Sequence, residues 1–461
     1  MKTSIKLITA LPILALGIGN QKTEAKEKPN VILILADDMG YSGITAFGGM
    51  GLSTPAIDKL AAEGVVCTNF HTNAPVCSPT RVSILTGSYQ QRVGLNSIYQ
   101  GKGVEDGLDP ELHPSFVKEL KKGGYKTGIF GKWHLGINPR FNPVYQGFDE
   151  FRGFLIGNID MISHRNRMNQ LDWWHNTTAY EEEGYATHLY NKYAVEFIKE
   201  SKGKPFFLYL THGAIHTPIQ APGDLPIRDG VNPPIYDNAK DLTDAEYHRR
   251  YREMVKSIDE GLQLMIDELK KQGQLENTLI IFTSDNGAEA IADKKYFGAN
   301  GFFNGYKNTL YEGGIRVPAI FYHPKSMQHH RTNEMMLTMD LMPTILEFCG
   351  VENKRKIDGI SLLPALANNK PLPERDIFWA NVGWLGMQSG DWKLVSKGNT
   401  AELFNLFIDP KEQHDLSSVY PERLENMKKS ANNWWIEVTK GTKFEGTSPL
   451  NMDLYPRGAA E

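Results

Sequence analysis

The sequence predicts an α/β protein in which a mixed, mostly parallel sheet is flanked by helices and is followed by a smaller C-terminal α+β subdomain. Apolar runs of strand length alternate with segments of helical spacing over most of the 461 residues, which is typical of a parallel sheet covered on both faces. A Pro- and Asn-rich stretch, Pro364 to Glu374, interrupts this alternation. Short strand-like runs and a last helix follow it, and they predict the separate subdomain.

The individual elements follow from the periodicity of the apolar residues. Val31 to Ala36 is wholly apolar and rich in β-branched residues, as expected of a central strand. Further strands are predicted at Thr127–Phe130, Phe206–Leu210, Thr278–Thr283 and Ala319–Tyr322. Helical spacing predicts helices at Ala56–Glu63, Pro114–Lys122, Tyr190–Lys199, Ala245–Lys271 and Met339–Phe348. In the C-terminal part we predict short antiparallel strands at Asp391–Val395 and Glu402–Leu406, and a helix over Tyr420–Val438.

The chain divides into a targeting segment, residues 1–25, a main domain, residues 26–365, and a C-terminal subdomain, residues 366–461. Lys2 and Lys6 precede an apolar stretch from Leu7 to Ile18, and small and polar residues follow it, which is the pattern of a secretory signal peptide. The apolar stretch is shorter than the roughly 20 residues that a membrane-spanning helix needs, so no stable membrane anchor is predicted. We therefore expect a periplasmic or secreted protein.

The charge balance limits the classes of partner. Fifty Lys and Arg residues face 54 Asp and Glu residues, and the formal net charge is -4. A nucleic-acid binder carries an excess of basic residues, so no nucleic-acid partner is predicted. Three cysteines are too few for a disulfide scaffold, and their odd number leaves at least one thiol without a partner in the chain.

Polar residues follow the predicted strands at their carboxyl ends, where open α/β sheets bind ligands. The first strand leads into Asp37 and Asp38, and the Thr278 strand leads into Asp285 and Asn286. These side chains offer hard oxygen ligands, which Ca²⁺ or Mg²⁺ prefers and zinc does not. Capping of the following helices or turns is the alternative role for them. Two other strand ends carry basic and imidazole groups: Lys132 with His134, and His212 with His216.

A helix is predicted from Pro79 to Thr86, with Ser78 as its N-cap. Cys77 then lies just outside the helix N-terminus, where backbone N–H groups and the helix dipole favour an anion and activate a nucleophile. Arg81, one turn further on, can add a charge-assisted hydrogen bond. The alternative is a plain buried cysteine before a well-capped helix.

These residues resemble the motifs of the type I sulfatases, members of the alkaline phosphatase superfamily. Residues 77–81, CSPTR, fit the family signature C-x-P-x-R, in which the cysteine is oxidised to formylglycine (3-oxoalanine). Further segments similar to the family occur in family order: 29–40 (PNVILILADDMG), 123–136 (GGYKTGIFGKWHLG), 283–287 (TSDNG), 312–318 (EGGIRVP), 340–346 (DLMPTIL) and 358–364 (DGISLLP). The resemblance implies an alkaline-phosphatase-like fold, a sulfatase catalytic domain over residues 26–365, and a formylglycine-generating maturation enzyme as a partner.

The resemblance also implies a role for each site residue. Ca²⁺ would be held by Asp37, Asp38, Asp285, Asn286 and the modified Cys77. Formylglycine would be hydrated, and one hydroxyl, deprotonated with help from Asp285, would attack the sulfur of a sulfate ester. His216, assisted by Lys307, would protonate the leaving oxygen, and His134 would then deprotonate the second hydroxyl so that sulfate leaves. Arg81, Lys132 and Lys307 supply positive charge that suits a sulfate group.

The substrate class is indicated by the segment 157–176, which combines hydrogen-bonding groups with aromatic residues. We predict that Asp160, His164 and Trp173 bind a sulfated saccharide, with core packing and solvation as the alternative for each residue. Sulfated galactose or N-acetylgalactosamine is the expected sugar, in the setting of polysaccharide degradation. Two other functions stay open: a formylglycine-dependent phosphodiesterase or phosphonate monoester hydrolase, and a catalytically silent sugar-binding relative.

Overall fold

The computed structural model describes residues 27–99, 106–233, 235, 238–290 and 299–452. The predicted signal peptide, residues 1–25, lies outside this range. The strands are β1 Asn30–Ala36, β2 Val65–Cys67, β3 Phe70–His71, β4 Lys126–Lys132, β5 Glu150–Phe154, β6 Trp174–His175, β7 Thr178–Ala179, β8 Phe206–Thr211, β9 Thr278–Ser284, β10 Ala319–Tyr322, β11 His330–Thr332, β12 Met336–Leu337, β13 Ile377–Asn381, β14 Trp384–Ser389, β15 Trp392–Lys397 and β16 Thr400–Asn405. The helices are α1 Pro55–Glu63, α2 Cys77–Thr86, α3 Val117–Lys122, α4 Ala186–Glu200, α5 Asp244–Lys271, α6 Glu312–Ile315, α7 Leu341–Phe348, α8 Leu363–Asn368 and α9 Pro421–Thr439.

The main sheet has the strand order β11-β2-β10-β9-β1-β8-β4-β5-β6-β7 within the described residues. Its central block, β9-β1-β8-β4-β5, is parallel throughout, and β10 pairs antiparallel with β9 at one side. All seven residues of β1 are buried because helices cover both faces of this block. One face packs against α1, α4 and α5, and the other packs against α2, α3, α7 and α8. The predicted mixed, mostly parallel sheet is confirmed.

The C-terminal part contains a separate antiparallel sheet in the order β13-β14-β15-β16. Helix α9 packs on this sheet through Trp434, Trp435 and Val438, and they share one apolar cluster with Trp379 and Leu394. The small α+β subdomain is thus present, and β15, β16 and α9 correspond to the elements expected there. β13 and β14 have no counterpart among the predicted strands, because Gly383 and Gly386 interrupt the strand pattern in that segment.

Several predicted boundaries need correction. The expected limit of the main domain after residue 365 falls inside α8, whose Ala365 and Leu366 belong to the core on the α2 side of the main sheet. The helix expected from Pro114 begins only at Val117. The helix expected from Met339 begins at Leu341, after a short 3-10 turn over Thr338–Asp340. None of the helices in the described ranges is long and apolar enough to cross a bilayer.

Candidate active site

The carboxyl ends of β1, β9 and β4 bring the predicted site residues together. β1 runs directly into Asp37 and Asp38, β9 runs into Asp285 and Asn286, and β4 ends at Lys132. All five side chains are buried. The strands lie in one parallel block, so their carboxyl ends meet at the same edge of the sheet, as the sequence predicted.

Four of the five predicted metal ligands, Asp37, Asp38, Asp285 and Asn286, form an oxygen-rich cluster. Asp38 Oδ1 accepts a hydrogen bond from Asn286 Nδ2 at 2.7 Å, and Asp285 Oδ1 accepts one from the backbone N–H of Asp38 at 3.2 Å. Asp38 has a φ of 62°, in the left-handed region, which turns the chain sharply after the strand. Asp37 Oδ1 and Asn286 Oδ1 are buried and have no hydrogen-bond partner. Two unsatisfied buried oxygens beside two more carboxylates are the donor set that a hard divalent cation fits.

The pKa of Asp37 also indicates that these residues fit a divalent cation. Burial raises the pKa of the Asp37 carboxyl well above its usual range, and Asp285 and Asp38 add to this effect despite the opposing charge of Lys132. Ligand atoms of Asp37, Cys77 and Asp285 lie within 4.8 Å of one another. A Ca²⁺ ion among these groups would offset the mutual repulsion of the carboxylates. The residues therefore fit the cation that the sequence resemblance implies.

Cys77 is the first residue of α2 and only 2% exposed. The helix thus starts two residues before the predicted position, and the prediction of Ser78 as its N-cap is wrong. Val76 occupies the cap position without a side-chain hydrogen bond, and Ser78 Oγ instead accepts the backbone N–H of Tyr99 at 3.2 Å. Burial raises the pKa of the Cys77 thiol, so the unmodified side chain is a thiol and not a thiolate.

His134 faces Cys77 directly. Its Nδ1 lies 3.1 Å from Cys77 Sγ, and its Nε2 lies 3.1 Å from the backbone oxygen of Tyr99. A carbonyl oxygen only accepts, so Nε2 carries the proton and Nδ1 is left as an acceptor toward residue 77. Burial, with Lys132 and Arg81 nearby, lowers the pKa of His134 well below its usual range. A neutral imidazole with a free Nδ1 is equipped to take a proton from a group at position 77.

Three cations surround the carboxylates. Arg81 donates from Nε and Nη2 to Asp285 Oδ2 at 3.0 and 2.7 Å, and from Nη1 to the backbone oxygen of Lys132 at 3.0 Å. Lys132 Nζ lies 2.7 Å from Asp37 Oδ2, and Lys307 Nζ lies 2.8 Å from Asp38 Oδ2. The three carboxylates and three cations balance in formal charge. A divalent cation would leave the cluster with an excess of two positive charges, ready for an anion.

His216 contacts the carboxylate oxygen of Asp38 that Asn286 does not contact. Its Nε2 is 3.7 Å from Asp38 Oδ2, and its Nδ1 is 2.6 Å from the backbone oxygen of Thr217, to which it donates. Burial, with the charge of Lys307, lowers the pKa of His216 to about 3. The Nδ1 contact fixes the ring so that Nε2 and Lys307 Nζ share one carboxylate oxygen.

The comparisons with known proteins agree with this geometry. Residues 29–351 match the family model described as Sulfatase. The chain belongs to the sulfatase family. A second family model, described as N-sulphoglucosamine sulphohydrolase, C-terminal, matches residues 298–433 of this sulfatase. Membership makes the chain a sulfuric ester hydrolase.

Relatives of this sulfatase cover most of its length. The N-acetylgalactosamine-6-sulfatase of Sus scrofa is 34% identical over 394 residues, which are 80% of this chain and 71% of that protein. The crystal structure of Ps i-CgsB in complex with k-i-k-neocarrahexaose is 28% identical, with a TM-score of 0.79 over 90% of this chain and 95% of that one. The PsFucS1 sulfatase from Pseudoalteromonas sp. is 26% identical, with a TM-score of 0.71 over 90% and 92% of the two chains.

The residues predicted to bind the sugar lie below the surface of the sulfatase. Trp173 is fully buried, and the His164 ring stacks on it with centroids 3.9 Å apart. Asp160 is also buried, and its carboxylate accepts backbone N–H groups of Ile162, Ser163, Ile227 and Arg228. None of the three side chains offers an accessible face to a saccharide, so the prediction of direct binding is wrong for this conformation. They shape the loop by packing, which was the alternative role.

Other residues take part without having been predicted. The backbone oxygen of Tyr99 orients His134, and a backbone role has no signature in the side-chain sequence. Glu289 Oε2 lies 3.9 Å from Lys307 Nζ, and its place just after Asp285 and Asn286 was the signal that could have identified it. Cys67 and Cys349, whose pairing the sequence left open, are both buried free thiols.

Proposed function

We propose that this sulfatase hydrolyses sulfate esters on saccharides, using formylglycine made from Cys77 and a bound Ca²⁺ ion. The observation that carries the proposal is the position of Cys77. Its Sγ lies 3.1 Å from a neutral imidazole and within reach of Asp37 and Asp285, while three buried cations surround the same carboxylates. A buried cysteine in a purely structural role needs no such surroundings.

The saccharide class is supported by what the relatives act on. One named relative is an N-acetylgalactosamine-6-sulfatase, and one structural neighbour was crystallised in complex with k-i-k-neocarrahexaose. Both are at least 28% identical to this chain and share most of its length. Galactose or N-acetylgalactosamine carrying a sulfate ester is therefore the substrate that we propose, as in the breakdown of sulfated polysaccharides.

Ca²⁺ would be held by the oxygens of Asp37, Asp38, Asp285 and Asn286, with the modified side chain at position 77 completing the set. When bound, the ion supplies positive charge that stabilises the negative charge developing on the sulfate oxygens. Arg81 and Lys132 hold the carboxylates of Asp285 and Asp37 in place through contacts of 2.7 Å. These pairs also exclude water from the floor of the site, because all four side chains are buried.

Formylglycine at position 77 would supply a hydrated aldehyde, whose two hydroxyl groups allow attack on sulfur and later release of sulfate. His134 then has a defined task, since its unprotonated Nδ1 points at position 77 and can take the proton of a hydroxyl there. Its second nitrogen cannot compete for that proton, because it donates to the Tyr99 carbonyl.

Departure of the sugar oxygen is assigned to His216 and Lys307. Both contact Asp38 Oδ2, so they lie side by side at the edge of the metal cluster. Nδ1 of His216 donates its proton to the Thr217 carbonyl, so Nε2 of the neutral ring carries none, and the general acid that we propose is the imidazolium, whose second proton lies on Nε2. The negative charge of a bound sulfate ester would raise the pKa of His216 from about 3 and so favour that form. Lys307 stabilises the negative charge that appears on that oxygen before the proton arrives.

We also propose that the protein is exported and is matured by a formylglycine-generating enzyme. The basic and apolar pattern of residues 1–25 supports export to the periplasm or the medium. The CSPTR motif at residues 77–81 supports maturation. The mass of the secreted protein tests the first proposal, since cleavage near residue 25 removes the leader. The mass of the peptide that contains residue 77 tests the second.

The experiment that tests the activity compares defined substrates. The protein, coexpressed with a maturation enzyme, is assayed on an aryl sulfate, an aryl phosphodiester, and sulfated galactose and N-acetylgalactosamine oligosaccharides. We expect desulfation of at least one saccharide, with kcat/KM above that for the phosphodiester. A preference for the diester would identify the phosphodiesterase or phosphonate monoester hydrolase alternative. Tight saccharide binding without turnover, with residue 77 fully converted, would identify a silent sugar-binding relative.

A further inference from the structure

A buried ionic cluster joins the C-terminal subdomain to the main domain. Lys393, the second residue of β15, is fully buried, and its Nζ lies 2.7 Å from Glu312 Oε1 and 2.8 Å from Glu412 Oε1. Glu412 follows β16 and is 4% exposed, and its Oε2 accepts the backbone N–H of Glu312 at 2.8 Å. Two side chains of the subdomain thus hold one residue of the main domain.

The main domain completes the surroundings of Glu312. His71 Nε2 lies 3.1 Å from Glu312 Oε2, and Arg316 Nη1 donates to the same oxygen at 2.9 Å. Glu312 is fully buried, and each of its carboxylate oxygens has a basic partner. Burial raises the pKa of Glu312, but the charge of Lys393 and the contact with His71 outweigh it, so the pKa is lowered well below its usual range.

Glu312 is the first residue of α6, and α6 contacts the catalytic loops. The backbone N–H of Gly287 donates to the oxygen of Gly314 at 3.0 Å, directly after the ligand pair Asp285 and Asn286. Gly287 is necessary there, because a Cβ would lie 1.9 Å from the oxygen of Gly313. α6 therefore packs against the turn at Asp285–Asn286, which carries two of the predicted metal ligands, and supports it.

The segment before α6 carries Lys307 and lies against the same turn. The backbone N–H of Lys307 donates to Ala288 at 2.9 Å, and that of Asn308 donates to Pro75, two residues before Cys77, at 2.9 Å. The backbone N–H of Gly313 closes the loop by donating to Asn304 at 2.6 Å. A displacement of Glu312 would thus reach the metal ligands, Lys307 and the segment before Cys77 through backbone hydrogen bonds.

We infer that Lys393 and Glu412 are positioning residues for sulfate ester hydrolysis. They fix Glu312, and through α6 they hold the turn at Asp285–Asn286 and the loop at Lys307 in the arrangement that catalysis uses. The C-terminal subdomain is by this inference part of the active-site scaffold. The inference rests on the proposed function only in assigning these two loops to the reaction.

The ionic character of the Lys393–Glu312–Glu412 cluster indicates a role in positioning and not only in stabilising the fold. Replacing a buried ion pair by apolar groups is often neutral for stability, so a cluster kept only for folding has little reason to be ionic. Positioning needs directional contacts, and two are present here: Lys393 Nζ donates to Glu312 Oε1, and Glu412 Oε2 accepts the backbone N–H of Glu312. A methionine at position 393 could not make the first of them. Misplacement of a catalytic group by about 1 Å can lower the rate roughly 100-fold.

The test uses the double variant Lys393→Met/Glu412→Gln, which removes the ammonium and the carboxylate together so that neither is left alone. It is compared with the parent and with the rescue variant Lys393→Arg. Lys397→Met is the matched control, because Lys397 lies on the same strand but is exposed. Each protein is checked for its melting temperature and for conversion of residue 77 by mass spectrometry. Then kcat and KM are measured on an aryl sulfate, and the midpoint of thermal stabilisation is measured against Ca²⁺ concentration.

We expect the double variant to melt within a few degrees of the parent. Its kcat should fall on the order of 10- to 100-fold, while KM changes less than about threefold. It should also need a higher Ca²⁺ concentration to reach the midpoint of thermal stabilisation. Lys393→Arg should restore part of kcat, and Lys397→Met should match the parent. An unchanged kcat and Ca²⁺ midpoint in a folded double variant would overturn the inference. If the parent itself hydrolyses no sulfate ester, the proposed function fails, while an unshifted Ca²⁺ midpoint still overturns the positioning role.

Discussion

Replacing Asp37 by alanine tests both the buried ion pair with Lys132 and the proposed Ca²⁺ site, because Asp37 belongs to both. In the parent, Asp37 Oδ2 holds Lys132 at 2.7 Å, and Asp37 Oδ1 has no hydrogen-bond partner, with Arg81 Nη2 3.9 Å away. Removing one partner of a buried ion pair costs about 3–5 kcal/mol because the other charge stays buried and uncompensated. Asp37→Ala should therefore lower the free energy of unfolding by this amount in the presence of a chelator.

The Ca²⁺ response should change as well. A ligand at 100 times its dissociation constant stabilises a folded protein by about 2.7 kcal/mol. The two unsatisfied buried oxygens, Asp37 Oδ1 and Asn286 Oδ1, each cost about 1–3 kcal/mol when unpaired, so a gain of this size upon Ca²⁺ binding is consistent with the structure. Asp37→Ala removes one of them and should lose most of the Ca²⁺-dependent gain at the same ion concentration.

Chemical denaturation with chelator and with added Ca²⁺ measures both effects. The double variant Asp37→Ala/Lys132→Met removes both charges, so it should recover part of the stability lost in chelator but none of the Ca²⁺ response. Glu183→Gln, an exposed carboxylate away from the site, is the control for nonspecific ion effects. A full Ca²⁺-dependent gain in Asp37→Ala would refute the assignment of Asp37 as a ligand.

Three further predictions concern the nucleophile, the leaving group and the subdomain. Cys77→Ser should abolish turnover in an aerobic host without moving the melting temperature by more than a few degrees, because the change is small and the metal set remains. His216→Gln should lower kcat/KM by about 10²- to 10⁴-fold on a sugar sulfate, and much less on an activated aryl sulfate whose leaving oxygen needs no proton. Burial, with Glu312 nearby, raises the pKa of Glu412 to about 7 despite Lys393. The difference in the free energy of unfolding between the parent and Glu412→Gln should therefore fall by on the order of 3 kcal/mol as the pH rises from about 4.5 to 7. Above pH 7 this difference should stay constant.

Each of these predictions has an outcome that contradicts it. Turnover by Cys77→Ser with serine found intact at position 77 would exclude formylglycine as the nucleophile. Equal losses of kcat/KM on the sugar and aryl substrates would remove His216 from the role of general acid. For Glu412, chemical denaturation of both proteins across the pH range gives the difference in stability directly, and a difference that is flat or rises with pH would show that the carboxyl is ionised throughout.

The main sheet and the catalytic residues could be predicted because they depend on local signals. A fully apolar strand such as β1 is recognisable from its residues, and parallel topology then places Asp37, Lys132 and Asp285 at one edge. The structure brings these three together as expected. Their roles with Ca²⁺ and formylglycine stay predictions, since they came from the resemblance to a family.

The errors came from contacts that depend on tertiary structure. Ser78 fits an N-cap by residue type, but its hydroxyl is engaged by Tyr99, 21 residues away in sequence. Trp173 is the type of residue that stacks on a sugar ring, yet the fold places the His164 ring on its face. The link from Lys393 to Glu312 spans 81 residues and two subdomains, and a lysine in a strand gives no local sign that it will be buried.

The near-neutral composition and the anionic substrate are compatible because of where the charge lies. Asp37, Asp38 and Asp285 neutralise Arg81, Lys132 and Lys307, so the cluster can be buried during folding without a net charge. A divalent cation would then convert a neutral cluster into one with two excess positive charges, in a site where buried side chains exclude water and little screening occurs. A sulfate ester would meet a strong local field although the whole protein carries a net charge of -4. Affinity for the anion should therefore depend on the bound cation far more than on surface charge, and substitutions of exposed lysines should leave it unchanged.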